Sequence, residues 1–280
     1  MVINLANHNS FPENPIQKAG IQAEKQVAYL LKSYFEDARD IHILNGLRLN
    51  ISKDINAQFD HLVFHKKGVF IIESKSVTTK VKITPQQEWL RLIDGHWKGM
   101  SSPINQVKRQ TELLRKFLQE NRKSLLGEIK FLLVKEQPGF KNMKIDPIVA
   151  ISERGMILGY RKTDVPVMKA DAVPSYIKDE LSKNFPKGIM DKIMDVDWDL
   201  SGDELKRTVQ FLSDNHEPYD YNVGHPFKQK EQEPKQNKYW CYRCKKEISY
   251  KIAKYCFDRK DIFGGKAYCY ECQKIVRKER

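Results

Sequence analysis

Apolar residues recur at intervals of three and four along residues 16–36, with polar residues between them. This spacing places the apolar side chains on one face of an α-helix. The apolar stripe consists of Ala23, Val27, Leu30, Leu31 and Tyr34. The pattern predicts a helix over residues 16–36 that carries Glu24 beside its apolar face, near its start.

Short apolar runs then replace the helical pattern, and such runs are typical of β-strands. The first run, Ile41–Leu44, meets Asn45–Gly46, a dipeptide that favours a turn. Residues 59–65 and 69–75 flank the polar segment 66–68, which predicts a β-hairpin. Further strands are predicted over residues 81–83, 89–93, 131–134 and 147–151.

Helical signals return after these strands. Ser102 followed by Pro103 is typical of a helix start, because serine caps the first amides and proline fits the first turn. Helices are also predicted over residues 176–181 and 203–211, the latter capped by Ser201. Strands and helices in this order predict a mixed α/β domain.

Composition excludes several classes of protein. The 280 residues are 40% hydrophobic and 10% aromatic, so the chain can build a core and is not disordered as a whole. Its apolar runs are too short to span a bilayer, and its N-terminus does not resemble a secretory signal. We therefore expect a cytoplasmic protein with no membrane partner. The 49 Lys and Arg against 36 Asp and Glu give a net charge of +13, which favours a polyanionic partner.

The composition changes near residue 217. Residues 217–238 are polar and rich in Pro, Gln and Lys, so we interpret them as a linker. Residues 239–280 contain all five cysteines and carry 12 Lys and Arg against 5 Asp and Glu, a formal charge of +7. A segment of this size lacks the core to fold without a cross-link or a metal.

Two Cys-x-x-Cys pairs separated by 24 residues lie in this C-terminal segment. Tetrahedral Zn²⁺ takes four thiolates from two such pairs. We therefore predict a structural zinc site with the ligands Cys241, Cys244, Cys269 and Cys272. Cys256 is interpreted either as an apolar filler or as a ligand in an alternative set.

Aromatic residues interleave with Lys and Arg through the same segment. Some of them must form its small core. Others, if exposed beside Lys245, Lys246, Arg259 and Lys260, would stack on bases while the cations contact phosphates. The sequence leaves both roles open.

The hairpin carries a second set of candidate residues. Glu73 and Lys75 are two apart on a strand, so their side chains share one face, and Asp60 lies on the paired strand. Two such carboxylates can hold Mg²⁺ while leaving positions for water and phosphate. A lysine beside the metal can orient the attacking water or help to deprotonate it. The spacing alone is also typical of a solvated strand end.

The motifs that precede and follow the hairpin in the sequence give more information about its role. Five features occur in the order Gly20–Lys25, Phe59–Val63, Lys67–Lys75, Trp89 and Ser102–Val107. This order resembles the nuclease-related domain, a family similar to the PD-(D/E)XK nucleases. The resemblance implies a restriction-endonuclease-like mixed sheet flanked by helices over residues 1–185. An appended helical segment over 186–216, the linker at 217–238 and a zinc-ribbon-like module over 239–280 would follow.

The resemblance also implies roles for individual residues. Asp60 and Glu73 would bind a catalytic Mg²⁺ or Mn²⁺, and Glu24 would assist directly or through water. Lys75 would activate the nucleophile, and Gln106 would position it. We therefore expect a metal-dependent nuclease that hydrolyses phosphodiester bonds of nucleic acid, with DNA as the expected substrate and the zinc module aiding binding.

Two alternative functions remain open at this point. The nuclease fold can serve as a scaffold in a non-catalytic DNA- or RNA-binding protein, because fold does not determine chemistry. The chain can also be a protein-interaction module in which zinc only stabilises a docking surface.

Overall fold

The computed structural model describes residues 1–5, 15–127, 139–159, 163–184, 198–218 and 239–278. The chain divides into two compact units, residues 1–220 and residues 221–280. The strand predicted over residues 131–134 and most of the linker predicted over 217–238 lie outside the described residues.

A six-stranded mixed sheet forms the centre of the first unit. Its strands, in spatial order, are β1 (Val2–Asn4), β2 (His42–Ser52), β3 (Ile55–His65), β4 (Gly68–Lys75), β8 (Lys144–Ile151) and β10 (Val167–Lys169). The β2–β3 and β3–β4 pairs are antiparallel, whereas the β1–β2, β4–β8 and β8–β10 pairs are parallel.

A smaller four-stranded sheet belongs to the same unit. Its strands are β5 (Lys80–Ile83), β6 (Trp89–Ile93), β7 (His96–Met100) and β9 (Met156–Gly159), in the spatial order β7-β6-β5-β9. The strands predicted over residues 81–83 and 89–93 are therefore confirmed. Three of its strands lie between the hairpin and the next helix in the chain.

The predicted hairpin is present at the centre of the main sheet. Strands β3 and β4 pair from His65–Gly68 to His61–Ile72. Gly68 follows the turn at a place where a side chain does not fit, because an added Cβ would lie 2.1 Å from the carbonyl oxygen of Lys144. Since β4 has neighbours on both edges, side chains at its end are held on a rigid support.

The turn predicted at Asn45–Gly46 is wrong, because both residues lie inside β2. The residues on either side of Gly46 pair regularly with β3, so Gly46 faces Asp60 without forming a regular pair itself. Gly46 has a φ of 71°, which glycine adopts without steric penalty. The strand therefore passes through a local irregularity opposite Asp60 instead of reversing direction.

Helices cover both faces of the main sheet, which confirms the predicted fold class. They are α1 (Pro15–Phe35), α2 (Pro103–Glu120), α3 (Arg122–Leu125), α4 (Val173–Asn184) and α5 (Gly202–Asp214). Helices α1 and α4 pack on one face, and helices α2, α3 and α5 pack on the other. Within the described ranges, no helix is both long and apolar enough to cross a membrane.

The sequence pattern explains how α1 and α2 form. Ala23, Val27 and Leu31 are buried on α1 as predicted, whereas Tyr34 is 53% exposed and Phe35 is buried instead. Helix α2 begins after Ser102, whose Oγ accepts a hydrogen bond from the backbone amide of residue 105 at 3.3 Å.

The second unit is small. Its elements are β11 (Tyr239–Trp240), β12 (Glu247–Ile248), α6 (Tyr250–Phe257), α7 (Lys260–Phe263) and α8 (Tyr270–Lys278). Strands β11 and β12 are antiparallel. A hydrophobic cluster contains Cys241, Ile248, Ala253, Ala267 and Cys272, and Cys256 and Phe263 are also buried. A core of this size fits the expectation that a metal stabilises the unit.

Candidate active site and metal centre

The hairpin brings Asp60, Glu73 and Lys75 together. Lys75 Nζ donates a hydrogen bond to Glu73 Oε1 at 2.6 Å. The backbone amide of Ser74 donates to Asp60 Oδ2 at 2.8 Å. Glu73 is 2% exposed and Asp60 is 7% exposed. A solvated strand end does not describe this arrangement, because both carboxyl groups are buried.

Two glutamines on α2 bind the Glu-x-Lys pair. Gln106 Oε1 accepts a 3.0 Å hydrogen bond from Lys75 Nζ. One turn later, Gln110 Nε2 donates to Glu73 Oε2 at 2.8 Å and to the carbonyl oxygen of Gln58 at 2.9 Å. The structure therefore places the predicted Gln106 in the cluster and adds Gln110, which sequence reasoning missed. The available signal was the i, i+4 spacing, which puts both glutamines on one helix face.

Glu24 on α1 adds a third carboxyl group. Burial, followed by the charge of Glu73, raises the pKa of Glu24 to about 7, against an opposing effect of Lys75. Burial and the same neighbouring charge raise the pKa of Asp60 well above its usual range. Burial acts to lower the pKa of Lys75, but the carboxylates of Glu73 and Asp60 outweigh it and raise that pKa. Lys75 is therefore protonated at neutral pH.

This cluster has the chemistry of a divalent-cation site. It holds three carboxyl groups against one ammonium group, and the pKa values of Glu24 and Asp60 are raised because the site is buried and short of positive charge. A hard divalent cation takes carboxylate oxygens as ligands and displaces the protons that such groups retain. The donor set fits the predicted Mg²⁺ or Mn²⁺, whose identity stays a prediction.

A buried polar network adjoins Asp60. His61 Nδ1 lies 2.8 Å from Asn45 Oδ1, and His61 Nε2 lies 3.1 Å from Ser74 Oγ. Asn45 Nδ2 donates to Asn4 Oδ1 at 2.7 Å. Burial lowers the pKa of His61 to about 3, so the neutral ring donates from Nδ1 and accepts at Nε2. The network ties strands β1 and β2 to both strands of the hairpin beside the carboxyl groups.

A cleft of about 330 Å³ opens beside the carboxyl groups. Glu24 and Asp60 contribute to its wall, together with Tyr29 on α1 and the asparagines Asn4 and Asn45. A ligand in this cleft therefore reaches two of the predicted site residues directly.

The four predicted zinc ligands meet in the second unit. The sulfur atoms of Cys241, Cys244, Cys269 and Cys272 all lie within 4.8 Å of one another. Cys244 Sγ and Cys269 Sγ are 3.6 Å apart, close to the separation of about 3.8 Å that a tetrahedron of 2.3 Å Zn–S bonds requires. The two pairs are joined by a 2.7 Å hydrogen bond from the backbone amide of Tyr242 to the carbonyl of Ala267. The geometry fits one metal ion.

The thiols of this cluster differ in acidity. Burial opposes ionisation of Cys241, but backbone amides of Cys244 and Cys269 point to its sulfur and lower its pKa to about 6. Burial and the neighbouring thiols raise the pKa of Cys272 to about 12. Cys241 is therefore ready to ligate as a thiolate, whereas Cys272 depends on the metal to lose its proton.

Cys256 lies outside this cluster. Its side chain is fully buried, and its Sγ lies 3.4 Å from the backbone nitrogen of Tyr268 and 3.3 Å from Gln273 Nε2. Of the two interpretations of Cys256, the structure supports the buried filler.

The fold and the first site together define a nuclease-like scaffold: a mixed sheet flanked by helices, with an aspartate and a Glu-x-Lys pair on its central hairpin. Residues 19–152 match the family model of the nuclease-related domain. The match spans the five predicted catalytic residues from Glu24 to Gln106 and also Gln110, but not the four cysteines. Comparisons with curated proteins and with solved structures gave no match.

Proposed function

We propose that the protein is a metal-dependent nuclease that hydrolyses phosphodiester bonds of DNA. The observation that carries this proposal is the cluster of buried carboxyl groups around Lys75 within a nuclease-related domain. Buried groups with perturbed pKa values are typical of sites that bind cations or transfer protons. The net charge of +13 favours a polyanionic substrate.

The carboxyl groups would have separate roles. Asp60 and Glu73 would hold Mg²⁺ or Mn²⁺, and Glu24 would assist directly or through a water molecule. When bound, such a cation polarises a phosphoryl oxygen and lowers the pKa of a bound water. The raised pKa of Glu24, about 7, also suits this group to accept a proton near neutral pH.

Lys75, in its protonated form, would activate the attacking water. Its Nζ is held between Glu73 Oε1 and Gln106 Oε1, which fixes the direction of its remaining N–H bond. A protonated amine in this position orients water and stabilises negative charge that develops on the phosphate. Gln106 would act by keeping this ammonium group in place.

The second unit would add affinity for nucleic acid. Trp240, Tyr242 and Tyr270 are each more than half exposed. Lys266 Nζ lies 4.0 Å from the ring centroid of Tyr242, and Lys274 Nζ lies 4.6 Å from that of Tyr270. Exposed rings beside cations can stack on bases while the amines contact phosphates. Binding that includes such phosphate contacts would weaken as salt is added.

Cleavage of single- and double-stranded DNA with Mg²⁺ or Mn²⁺ tests the proposal. We expect the Glu73→Gln and Lys75→Met proteins to lose activity by about 100-fold or more, because each removes a group that acts on the transition state. Lys98→Met is the matched control, since Lys98 is an exposed lysine on β7. Circular dichroism would verify that each variant is folded.

Other outcomes separate the alternatives. Equal cleavage by the parent protein and both site variants would overturn the assigned residues. Salt-sensitive DNA binding without cleavage would replace the nuclease by a non-catalytic binding protein. Failure to bind any nucleic acid at low salt would favour the protein-interaction module.

A further inference from the structure

The cleft beside Glu24 and Asp60 is lined by more residues than a metal ion alone would contact. Beyond those carboxyl groups it is lined by Tyr29, Asn4 and Asn45. Its volume of about 330 Å³ falls at the lower end of the range of about 300–1,000 Å³ that small-molecule sites occupy. A space of this size admits one base with its sugar, but it does not admit a stacked duplex.

Part of the cleft wall consists of two hydrogen-bonded asparagines, Asn4 and Asn45. Asn45 is 4% exposed, and its amide bonds to Asn4 Oδ1 at 2.7 Å and to His61 Nδ1 at 2.8 Å. These bonds set the amide orientation of Asn45 and occupy the carbonyl oxygen of Asn4. Asn4 is an exposed residue, and its amide nitrogen can donate to a ring nitrogen or carbonyl at the edge of a base.

The wall formed by α1 is aromatic and basic. Tyr29 is 70% exposed although it lines the cleft, so most of its surface is accessible to a ligand. Lys25 and Lys32 line the same cleft, and they stand on the helix that carries Glu24. A ring flanked by amines suits a base and its phosphates, because every base can stack and each phosphate is an anion.

We infer that this cleft is a subsite for one unstacked nucleotide next to the scissile phosphate, with Tyr29 stacking on its base. The inference rests on the proposed nuclease function and adds a substrate class to it: single-stranded or locally unpaired nucleic acid. A base in a regular duplex would first have to leave the stack, which costs free energy. The subsite therefore favours single strands, frayed ends and damaged or mismatched positions.

Binding of a trinucleotide that contains 2-aminopurine tests the subsite. The probe is short, which limits its contacts with the second unit, and its fluorescence reports base stacking. Ca²⁺ replaces Mg²⁺ so that binding is measured without turnover. In the Tyr29→Ala variant of the 280-residue chain, we expect the affinity to fall by between about 5- and 100-fold, whereas Tyr29→Phe retains the ring and the affinity.

Tyr34→Ala is the matched control, because Tyr34 is also an exposed tyrosine on α1 and does not line the cleft. Its affinity should match that of the parent protein. Equal affinity of the Tyr29→Ala and parent proteins, an equal loss in both alanine variants, or no binding of the probe by the parent would overturn the subsite.

The subsite and the proposed function can fail separately. If cleavage depends on Glu73 but probe binding does not depend on Tyr29, the proposed subsite is wrong and the proposed nuclease function stands. Probe binding that depends on Tyr29, with no cleavage of any DNA, would leave a nucleotide-binding cleft and remove the nuclease.

Discussion

Gln110 Nε2 donates a 2.8 Å hydrogen bond to Glu73 Oε2, and these two side chains are only 5% and 2% exposed. The other oxygen of Glu73 receives Lys75 Nζ at 2.6 Å. Both oxygens of this proposed metal ligand therefore have fixed partners. Removing a group that orients a ligand in this way typically lowers metal affinity or activity by about 10- to 100-fold.

Replacing Gln110 by leucine should weaken both the fold and the metal site. The change leaves Glu73 Oε2 and the carbonyl of Gln58 without their donor, so we expect the free energy of unfolding to fall by about 1–3 kcal/mol. We also expect Mn²⁺ to bind about 10- to 100-fold more weakly. Urea unfolding and titration calorimetry measure the two effects.

Gln106→Leu is the control for this prediction. Gln106 is less buried, and its hydrogen bond goes to Lys75 rather than to a carboxylate. Its loss should therefore reduce cleavage more than it reduces Mn²⁺ affinity. Unchanged Mn²⁺ affinity in the Gln110→Leu protein would show that Gln110 does not position Glu73.

His61 should make the first unit sensitive to acid. Burial lowers the pKa of His61 from 6.5 in the unfolded chain to about 3 in the folded protein. Between these two pH values the unfolded chain therefore binds more protons than the folded protein. The contribution of His61 to stability is complete above pH 6.5 and is lost as the pH falls towards 3. The loss amounts to about 1.4 kcal/mol per pH unit within this window.

Unfolding in urea at several pH values between 7 and 4 measures this contribution. His61→Gln should lower the free energy of unfolding at pH 7, because the ring bonds Asn45 and Ser74, and should flatten the decline in acid. His96→Gln is the control, since His96 is exposed on β7. Parallel pH profiles for the parent protein and the His61→Gln protein would contradict the prediction.

Glu24 and Asp60 should change the pH dependence of stability in the direction opposite to that of His61. Their raised pKa values mean that the folded protein binds more protons than the unfolded chain above the ordinary carboxyl range. For Glu24, the resulting stability is complete below its unfolded pKa of 4.5 and is lost as the pH rises through about 7. A bound cation should cancel this loss, because it takes the place of the protons.

Mn²⁺ binding should therefore tighten as the pH rises from 6 to 8. Each proton that the metal displaces adds up to about a tenfold gain in affinity per pH unit. Glu24→Gln should flatten this dependence and increase the stability of the metal-free protein at pH 8, whereas Glu36→Gln, an exposed change just after α1, should do neither. Calorimetric titrations at three pH values would reveal a pH-independent affinity if the prediction is wrong.

The sequence predicted the elements whose signals are local. Apolar periodicity predicted α1, a hydroxyl followed by proline predicted the start of α2, and two apolar runs around a polar turn predicted the hairpin. Residue spacing also placed Glu73 and Lys75 on one face and identified the four clustered cysteines. The helices, the hairpin and the Glu-x-Lys pair depend on residues that are close in the chain, and the cysteines form two local Cys-x-x-Cys motifs.

The features that sequence reasoning missed depend on distant contacts. Gly46 lies in a strand because β3 pairs on both sides of it, and no local signal separates this from a turn. Gln110 matters because α2 packs against the end of β4, where Glu73 is buried. The neutral state of His61 likewise follows from burial by other elements.

Single substitutions of two cysteines in the second unit test its metal site. Cys272 lies in the cluster of four sulfur atoms, and Cys256 does not. We therefore expect Cys272→Ser to release Zn²⁺ to a chromogenic chelator far more readily than the parent protein, since three thiolates bind it less tightly than four. Cys256→Ser should keep one Zn²⁺ per chain and lose only the packing of its buried sulfur.

Metal removal should also unfold the second unit and leave the first unit folded. The second unit has a core of few residues, and binding free energy of a structural zinc ion is folding free energy in such units. Limited proteolysis after chelation should therefore cleave within residues 239–280 and spare the first unit, which has its own extensive core. Retention of zinc by Cys272→Ser together with its loss from Cys256→Ser would place Cys256 among the ligands instead.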